Sequence, residues 1–265
     1  MLEVCVYEGA TENPKIELML ELCRCDLHDF IFKVAYTENH RKVIAIQICK
    51  ALSYIHSCRI IHRDLKPSNI LIGLDGNIKI ADFGLSRLKR RRATLSYTPY
   101  VGTDGYQAPE VLLGSITYDE SVDIFSFGTV LITLYTKTEI FLSSIQGSIF
   151  FAFMTFLGNP TNAIAPGIEN LPLYAVTFGR LTPVFRPTLD EFWEASHVPL
   201  GARRLIRPLL DYNPANRPKA EDILSNEYLQ LDPGLLPHLN LLPLIPPNVG
   251  VNPSLIDDTN STAWD

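Results

Sequence analysis

No apolar run in these 265 residues approaches the roughly 20 needed to cross a bilayer as a helix. The two most apolar stretches, Ile124–Tyr135 and Ile149–Leu157, are too short, and polar Asp123, Ser126 and Thr129 accompany the first. Both are expected to be buried core helices. Met1-Leu2-Glu3-Val4 has no basic region leading into an apolar run, so no secretory signal is expected. Cysteine is scarce and poorly distributed for a disulfide framework. The chain has five, all before residue 59 (Cys5, Cys23, Cys25, Cys49 and Cys58). An odd, clustered set fits reduced thiols in a cytoplasmic and/or nuclear setting. Cys23-x-Cys25 has no second Cys or His pair at a matching spacing, which argues against a zinc site. Positive charge is not in excess either: the net charge is -6, so neither nucleic acid nor an anionic membrane is an expected partner. No internal repeat is visible.

What remains is an ordinary globular balance, 46% hydrophobic and 20% charged, with ample material for a core. Leu2–Tyr7 and Ile16–Leu22 read as strands of a hairpin turned through Gly9–Lys15, followed by a short segment Asp26–Phe32. A helix is predicted over Glu38–Ser57, where Val43, Ile44, Ile48, Leu52 and Ile55 share one face. Ile70–Ile72 and Ile78–Ala81 form a second hairpin through Leu74-Asp75-Gly76-Asn77. Residues 85–105 lack apolar periodicity and read as a long exposed loop. Ser121–Tyr135 is apolar on most sides and therefore a buried helix. Shorter helices follow at Leu200–Leu210 and Ala220–Leu224. Residues 231–265 are rich in Pro, Leu and Asn and read as an irregular tail, packed on the body or partly disordered.

The chemistry is concentrated in His62-Arg63-Asp64-Leu65-Lys66-Pro67-Ser68-Asn69 and in Asp82-Phe83-Gly84. A carboxylate, an ammonium and an amide fall within six residues, and a second carboxylate follows eighteen positions after the first. Phosphoryl transfer requires such a set. Asp64 orients a hydroxyl, Lys66 stabilises charge on the moving phosphoryl group, and Asn69 and Asp82 offer hard oxygens to Mg²⁺. A lone Asp, or an Asp-Phe-Gly by itself, would more often be ordinary loop. The whole set with a hairpin between its halves is not coincidence. Here the sequence resembles the eukaryotic serine/threonine protein kinases.

The resemblance extends downstream. Gly102-Thr103-x-x-Tyr106-x-Ala108-Pro109-Glu110 is similar to the segment closing a kinase activation loop. It implies that Glu110 pairs with Arg217 and that Asp123 braces the catalytic loop through its backbone. Lys66-Pro67-Ser68-Asn69 resembles the serine/threonine branch. Leu157-Gly158-Asn159-Pro160, Pro166-Gly167 and Leu171-Pro172-x-Tyr174 resemble the insert of cyclin-dependent and mitogen-activated kinases. Thr98 and Tyr100 stand where the latter carry their activation pair, and Arg63 and Arg87 are the cations expected to grip phosphates there. For ATP, the resemblance implies Leu20 as gatekeeper, the backbone of Glu21 and Cys23 for adenine, and Asp26 for ribose. Leu71 becomes the apolar floor, with Ala81 and Asp82 beneath the phosphates. The implied fold is α+β and protein-kinase-like. Residues 1–25 are an N-lobe remnant with the last two strands and hinge, 26–230 a mainly helical C-lobe, and 231–265 the tail.

Two residues depart from that group. Gln107 replaces an Arg that shapes a proline pocket, so a proline preference is not expected, and Phe125 replaces a Trp. Lys89-Arg90-Arg91-Arg92 is a cationic run suited to a solvated loop, an acidic docking partner or an import signal. No Gly-x-Gly-x-x-Gly precedes Leu2, and neither Lys15 nor Lys33 is placed to replace the strand lysine of the family. Weak nucleotide binding and little turnover are therefore expected of residues 1–265 alone. The reading is a kinase acting on protein Ser/Thr with ATP and Mg²⁺, served by an upstream kinase and docking partners. The alternatives are an inactive C-lobe module competing for kinase partners, or another phosphate-transfer enzyme.

Overall fold

A computed structural model describes residues 3–7, 15–89, 96–99, 101–142, 149–179, 184–232 and 239–250. The helical core centres on α4 (Ser121–Thr136), in which each residue from Val122 to Tyr135 is buried. A helix apolar on all sides is stable only when surrounded. Gly128 permits the closest approach: a Cβ there would lie 2.9 Å from Leu209 Cβ and Leu210 Cδ2. Those leucines belong to a 3₁₀ turn, Arg207–Leu210, that continues α8 (Leu200–Ile206). Of the short helices, α3 (Pro109–Leu112) precedes α4 in sequence, and α6 (Tyr174–Phe178) and α7 (Leu189–Ala195) precede α8.

Helix α2 (Glu38–Ser57) has the predicted bounds. Its entry is set by Thr37, whose N–H donates to His40 Nδ1 at 3.2 Å and whose hydroxyl meets the same atom at 2.7 Å. Val43, Ile44, Ile48, Leu52 and Ile55 are all buried, as their spacing requires. The face packs against α9 (Ala220–Ile223) and the sheet beside it. Helix α5 (Ile149–Leu157) belongs to the same core. Phe153 packs against both Phe125 and Phe141, as expected of a core helix, and Phe151 is its exposed residue.

The site-bearing sheet is antiparallel, in the order β3 (Cys23–Asp26), β5 (Ile70–Gly73), β6 (Ile78–Ile80). Its register pairs Asp26 with Leu71, and Leu71 with Lys79. The β5–β6 turn has Gly76 at φ +79° and an Asn77 N–H bonded to Asp75 Oδ1 at 3.0 Å.

Several expectations need correction. The first hairpin pairs β1 (Glu3–Tyr7) with β2 (Lys15–Met19), so its second strand ends three residues short of Leu22. The chain re-forms a strand at Cys23–Asp26 because β5 offers it a ladder, and that partner is remote in sequence. Asp26 then caps α1 (Leu27–Lys33), its Oδ1 accepting from Asp29 N at 2.7 Å. Nor is 85–105 uniformly exposed loop: β7 (Arg87–Leu88) pairs with β4 (Ile60–Ile61), and Tyr97 is buried. In the tail, Leu239, Leu241, Ile245 and Val249 are buried, and Arg24 Nη2 donates to Pro246 O at 2.9 Å. Gly250, at φ +92°, lies so close to the Arg24 carbonyl that a Cβ would collide with it.

Candidate functional site

The loop after β4 owes its shape to one carboxylate. Asp123, in the first turn of α4, is fully buried. Its Oδ1 accepts from Arg63 N at 2.8 Å, and its Oδ2 from His62 N at 2.9 Å and His56 Nε2 at 2.9 Å. Burying a carboxylate is costly unless its oxygens are satisfied, and here two backbone amides and an imidazole do so. These bonds hold Arg63 at φ +70°, a conformation that side-chain-bearing residues adopt only when surroundings enforce it. His62 in turn bonds Ala81 O through Nε2 at 3.0 Å, and its ring lies edge-on to Phe83 at 4.9 Å. The two halves of the motif are thereby joined.

Asp64 follows immediately, buried at 7% exposure. Asn69 donates through Nδ2 to both Asp64 O (2.9 Å) and Asp64 Oδ2 (3.0 Å). Lys66 Nζ lies 3.1 Å from Asp64 Oδ2 and 2.6 Å from the hydroxyl of Thr103, which donates to Asp64 Oδ1 at 2.7 Å. An aliphatic alcohol, an ammonium and a carboxylate thus meet in one cluster. Asn69 O accepts from Ala81 N at 2.9 Å, tying the loop to the residue before Asp82. Asp82 is exposed and left-handed (φ +61°, ψ +71°), with Oδ1 3.3 Å from Gly84 N.

The residues expected to meet a nucleotide lie on or next to the three-stranded sheet: Asp26 ends β3, Leu71 sits in the central strand β5, and Ala81 follows β6. Leu71 and Ala81 are half-buried, and Asp26 pairs with Leu71. Leu20 is 62% exposed and lies outside the sheet. Glu21 is exposed and forms an ion pair with Lys79 at 3.0 Å. Cys23, half-buried, directs Sγ at Glu21 O from 3.9 Å, and burial pushes its thiol up, with Glu21 adding to the effect. A separate cavity of about 540 Å³, between Tyr97, Tyr118, Ile168, Leu171 and Tyr212, is lined by none of these residues.

On the other flank, Arg63 donates through Nε to Leu85 O (2.7 Å) and through Nη1 to Tyr118 OH (2.8 Å). Thr98 is exposed, and Arg87 is exposed with Nη1 on Ser86 O. Tyr100 and Arg90–Arg92 lie outside the described residues; Lys89 is paired with Glu120. Glu110 and Arg217 meet in a bidentate ion pair at 2.6 and 2.8 Å, with the Arg217 side chain fully buried. Gln107 is buried, and its Oε1 has no hydrogen-bond partner among the described residues.

Two residues with no role assigned from sequence belong to this neighbourhood, Thr103 and Tyr118. The position of Thr103 in the Gly102–Glu110 segment was a usable signal. Tyr118 carried none, because its partners lie 20 and 55 residues away.

The chain matches the family model described as "Protein kinase domain" over residues 4–229. It is 33% identical to cyclin-dependent kinase F-3 of Oryza sativa subsp. japonica over 232 residues, 86% of this chain and 52% of the relative. It is 33% identical to cyclin-dependent kinase 2 of Caenorhabditis elegans, covering 85% of this chain and 61% of that one. For extracellular signal-regulated kinase 2 of Dictyostelium discoideum the identity is 31%, over 83% and 60%. The chain therefore spans between about half and three-fifths of these curated relatives. Among solved structures, the yeast RNA Pol II CTD kinase CTDK-1 complex contains a chain that superposes with a TM-score of 0.78. The pair is 29% identical, covering 87% of this chain and 76% of that one. The CAK complex of Chaetomium thermophilum bound to ATP-gamma-S gives 0.75 at 26% identity, covering 86% and 71%.

Proposed function

Because the chain belongs to the protein kinase family, in its cyclin-dependent and mitogen-activated group, we propose that it transfers the γ-phosphoryl group of ATP to protein Ser/Thr hydroxyls. The activity is proposed for the whole protein, with residues 1–25 read as an N-lobe remnant holding the last two strands and hinge, 26–230 as the C-lobe and 231–265 as the tail. The observation that carries the proposal is the Asp64–Lys66–Thr103 cluster, in which a carboxylate already accepts a bond from an aliphatic hydroxyl beside an ammonium. A substrate hydroxyl presented to Asp64 would be oriented for in-line attack, with Lys66 placed to offset charge on the transferring group.

The donor set fits a magnesium ion. Asn69 spends its amide hydrogens on Asp64, which leaves its oxygen as a ligand, and Asp82 supplies a carboxylate. When bound, Mg²⁺ neutralises negative charge on the phosphate oxygens. Adenine is assigned to the backbone of Glu21 and Cys23 with Leu20 and Leu71 around it, ribose to Asp26, and the phosphate end to Ala81 and Asp82. Thr98 and Tyr100 are assigned as modification sites for an upstream kinase, with Arg63 and Arg87 as phosphate-binding cations. Partner proteins of the cyclin or docking type and a cytoplasmic and/or nuclear location complete the reading.

The test is transfer of labelled γ-phosphate from Mg-ATP to a Ser/Thr peptide library by the full-length protein. Asp64→Asn should cut turnover by about 10²-fold or more. Equal incorporation by both proteins would overturn the assignment.

A further inference from the structure

Arg63 is a permanent cation at 6% exposure, yet among the described residues it forms no ion pair. Its side chain bonds two neutral oxygens, Leu85 O and Tyr118 OH. Buried charges are normally matched by an opposite charge, so this guanidinium is held with a substitute. Tyr118 is fully engaged as that substitute. Its oxygen accepts from Arg63 Nη1 at 2.8 Å, and its hydrogen goes to Thr98 O at 2.9 Å. Burial pushes its phenol up, against the opposing effect of Arg63, so the group stays neutral and can accept and donate together. The ring is stacked on Tyr97 with centroids 4.9 Å apart, and Tyr97 N is anchored to Ile116 O at 2.8 Å. Thr98, next in sequence, is exposed and open to modification.

We propose that Tyr118 is a positioning residue, a neutral placeholder that occupies Arg63 and holds the Thr98 backbone until phosphate on Thr98 displaces it. The proposal rests on the reading of Thr98 as a modification site. Phosphorylation replaces the Thr98 hydroxyl hydrogen with a phosphoryl group from ATP, releasing ADP and a proton, and adds close to two negative charges. A dianion forms charge-assisted bonds to guanidinium roughly twice as strong as neutral ones, so the phosphate wins the exchange. The phenol nevertheless weakens that grip, since its bond to Arg63 must first be given up.

The test uses the chain carrying phosphothreonine at position 98, with ³¹P NMR following the second ionisation of the phosphate. Free phosphothreonine ionises near pH 6. Contact with Arg63 should lower that midpoint, and Arg63→Gln should restore it. Tyr118→Phe, which keeps the ring and its stacking, should lower the midpoint further, by up to about one pH unit for a tenfold tighter contact. Equal midpoints in the parent and Tyr118→Phe, both below Arg63→Gln, would overturn the placeholder while leaving the modification reading intact. Equal midpoints in all three would overturn both. As a second measurement on the unphosphorylated chain, Tyr118→Phe should speed hydrogen exchange across 96–99 several-fold. Unchanged exchange there would also refute the proposal.

Discussion

Replacing Glu110 with Gln removes one negative charge from a pair that water does not reach. Arg217 would keep its bonds to Asp211 O (2.8 Å) and Ser121 O (3.1 Å) and its place over the Phe125 ring at 5.0 Å. What it would lose is the bidentate carboxylate at 2.6 and 2.8 Å, leaving a guanidinium whose side chain is fully buried without a counter-charge. Removing one partner of a buried pair costs about 3–5 kcal/mol. Gln still offers one oxygen, so the expected loss lies at the lower end, about 3 kcal/mol. For a chain of this size that lowers Tm by roughly 6–12 °C. The assay is thermal and urea unfolding of Glu110→Gln beside Glu191→Gln, whose partner Arg186 is 87% exposed. The exposed control should change by no more than about 0.5 kcal/mol. Equal shifts in the two variants would refute the view that desolvation, and not the mere presence of a pair, sets the cost.

Asp123→Ala would orphan the His62 and Arg63 amides and His56, and should cost about 2–4 kcal/mol in urea unfolding. A loss below about 1 kcal/mol would contradict the bracing role. Gly250→Ala should destabilise by about 1–3 kcal/mol, because it combines a left-handed backbone with a collision against Arg24 O. No change would mean that the tail does not seat against the strand at Cys23–Asp26. Burial pushes Cys25 up to about 11 and Cys49 up to about 12, because thiolate is disfavoured away from water. At pH 8 only about one Cys25 thiol in a thousand is ionised, and fewer at Cys49. Peptide mapping after iodoacetamide treatment at pH 8 should find exposed Cys58 modified while both others resist until unfolding. Early labelling of Cys49 would refute the burial argument.

Local signals in this sequence were reliable where the cause is local. The α2 helix appears with its predicted ends because its stripe of apolar residues and its Thr37 start act within one element. The 70–80 hairpin was legible for the same reason, a turn of Asp-Gly-Asn between two apolar runs. The β3–β5 and β4–β7 ladders were not, since each depends on a partner 26 to 50 residues away. Much the same holds for the site. Asp64, Lys66 and Asn69 are close in sequence and meet in space, whereas Thr103 reaches Asp64 across 39 positions and Tyr118 reaches Arg63 across 55. Residues expected around the nucleotide were found by family pattern, and Leu20, 62% exposed, shows no packing role that sequence alone would have revealed.

The position of Asp123 has a consequence for how the molecule opens. Amides that bond a carboxylate rooted in the most enclosed helix can exchange with solvent only when that helix lets go. The loop bearing Asp64 should therefore belong to the slowest-exchanging cooperative unit of the lobe, although it is not regular secondary structure. Thr98, whose carbonyl is held by the half-buried Tyr118 phenol, should open far more often. The molecule thus separates a part that must not fluctuate from a part that must, and the border between them runs through the Arg63 side chain.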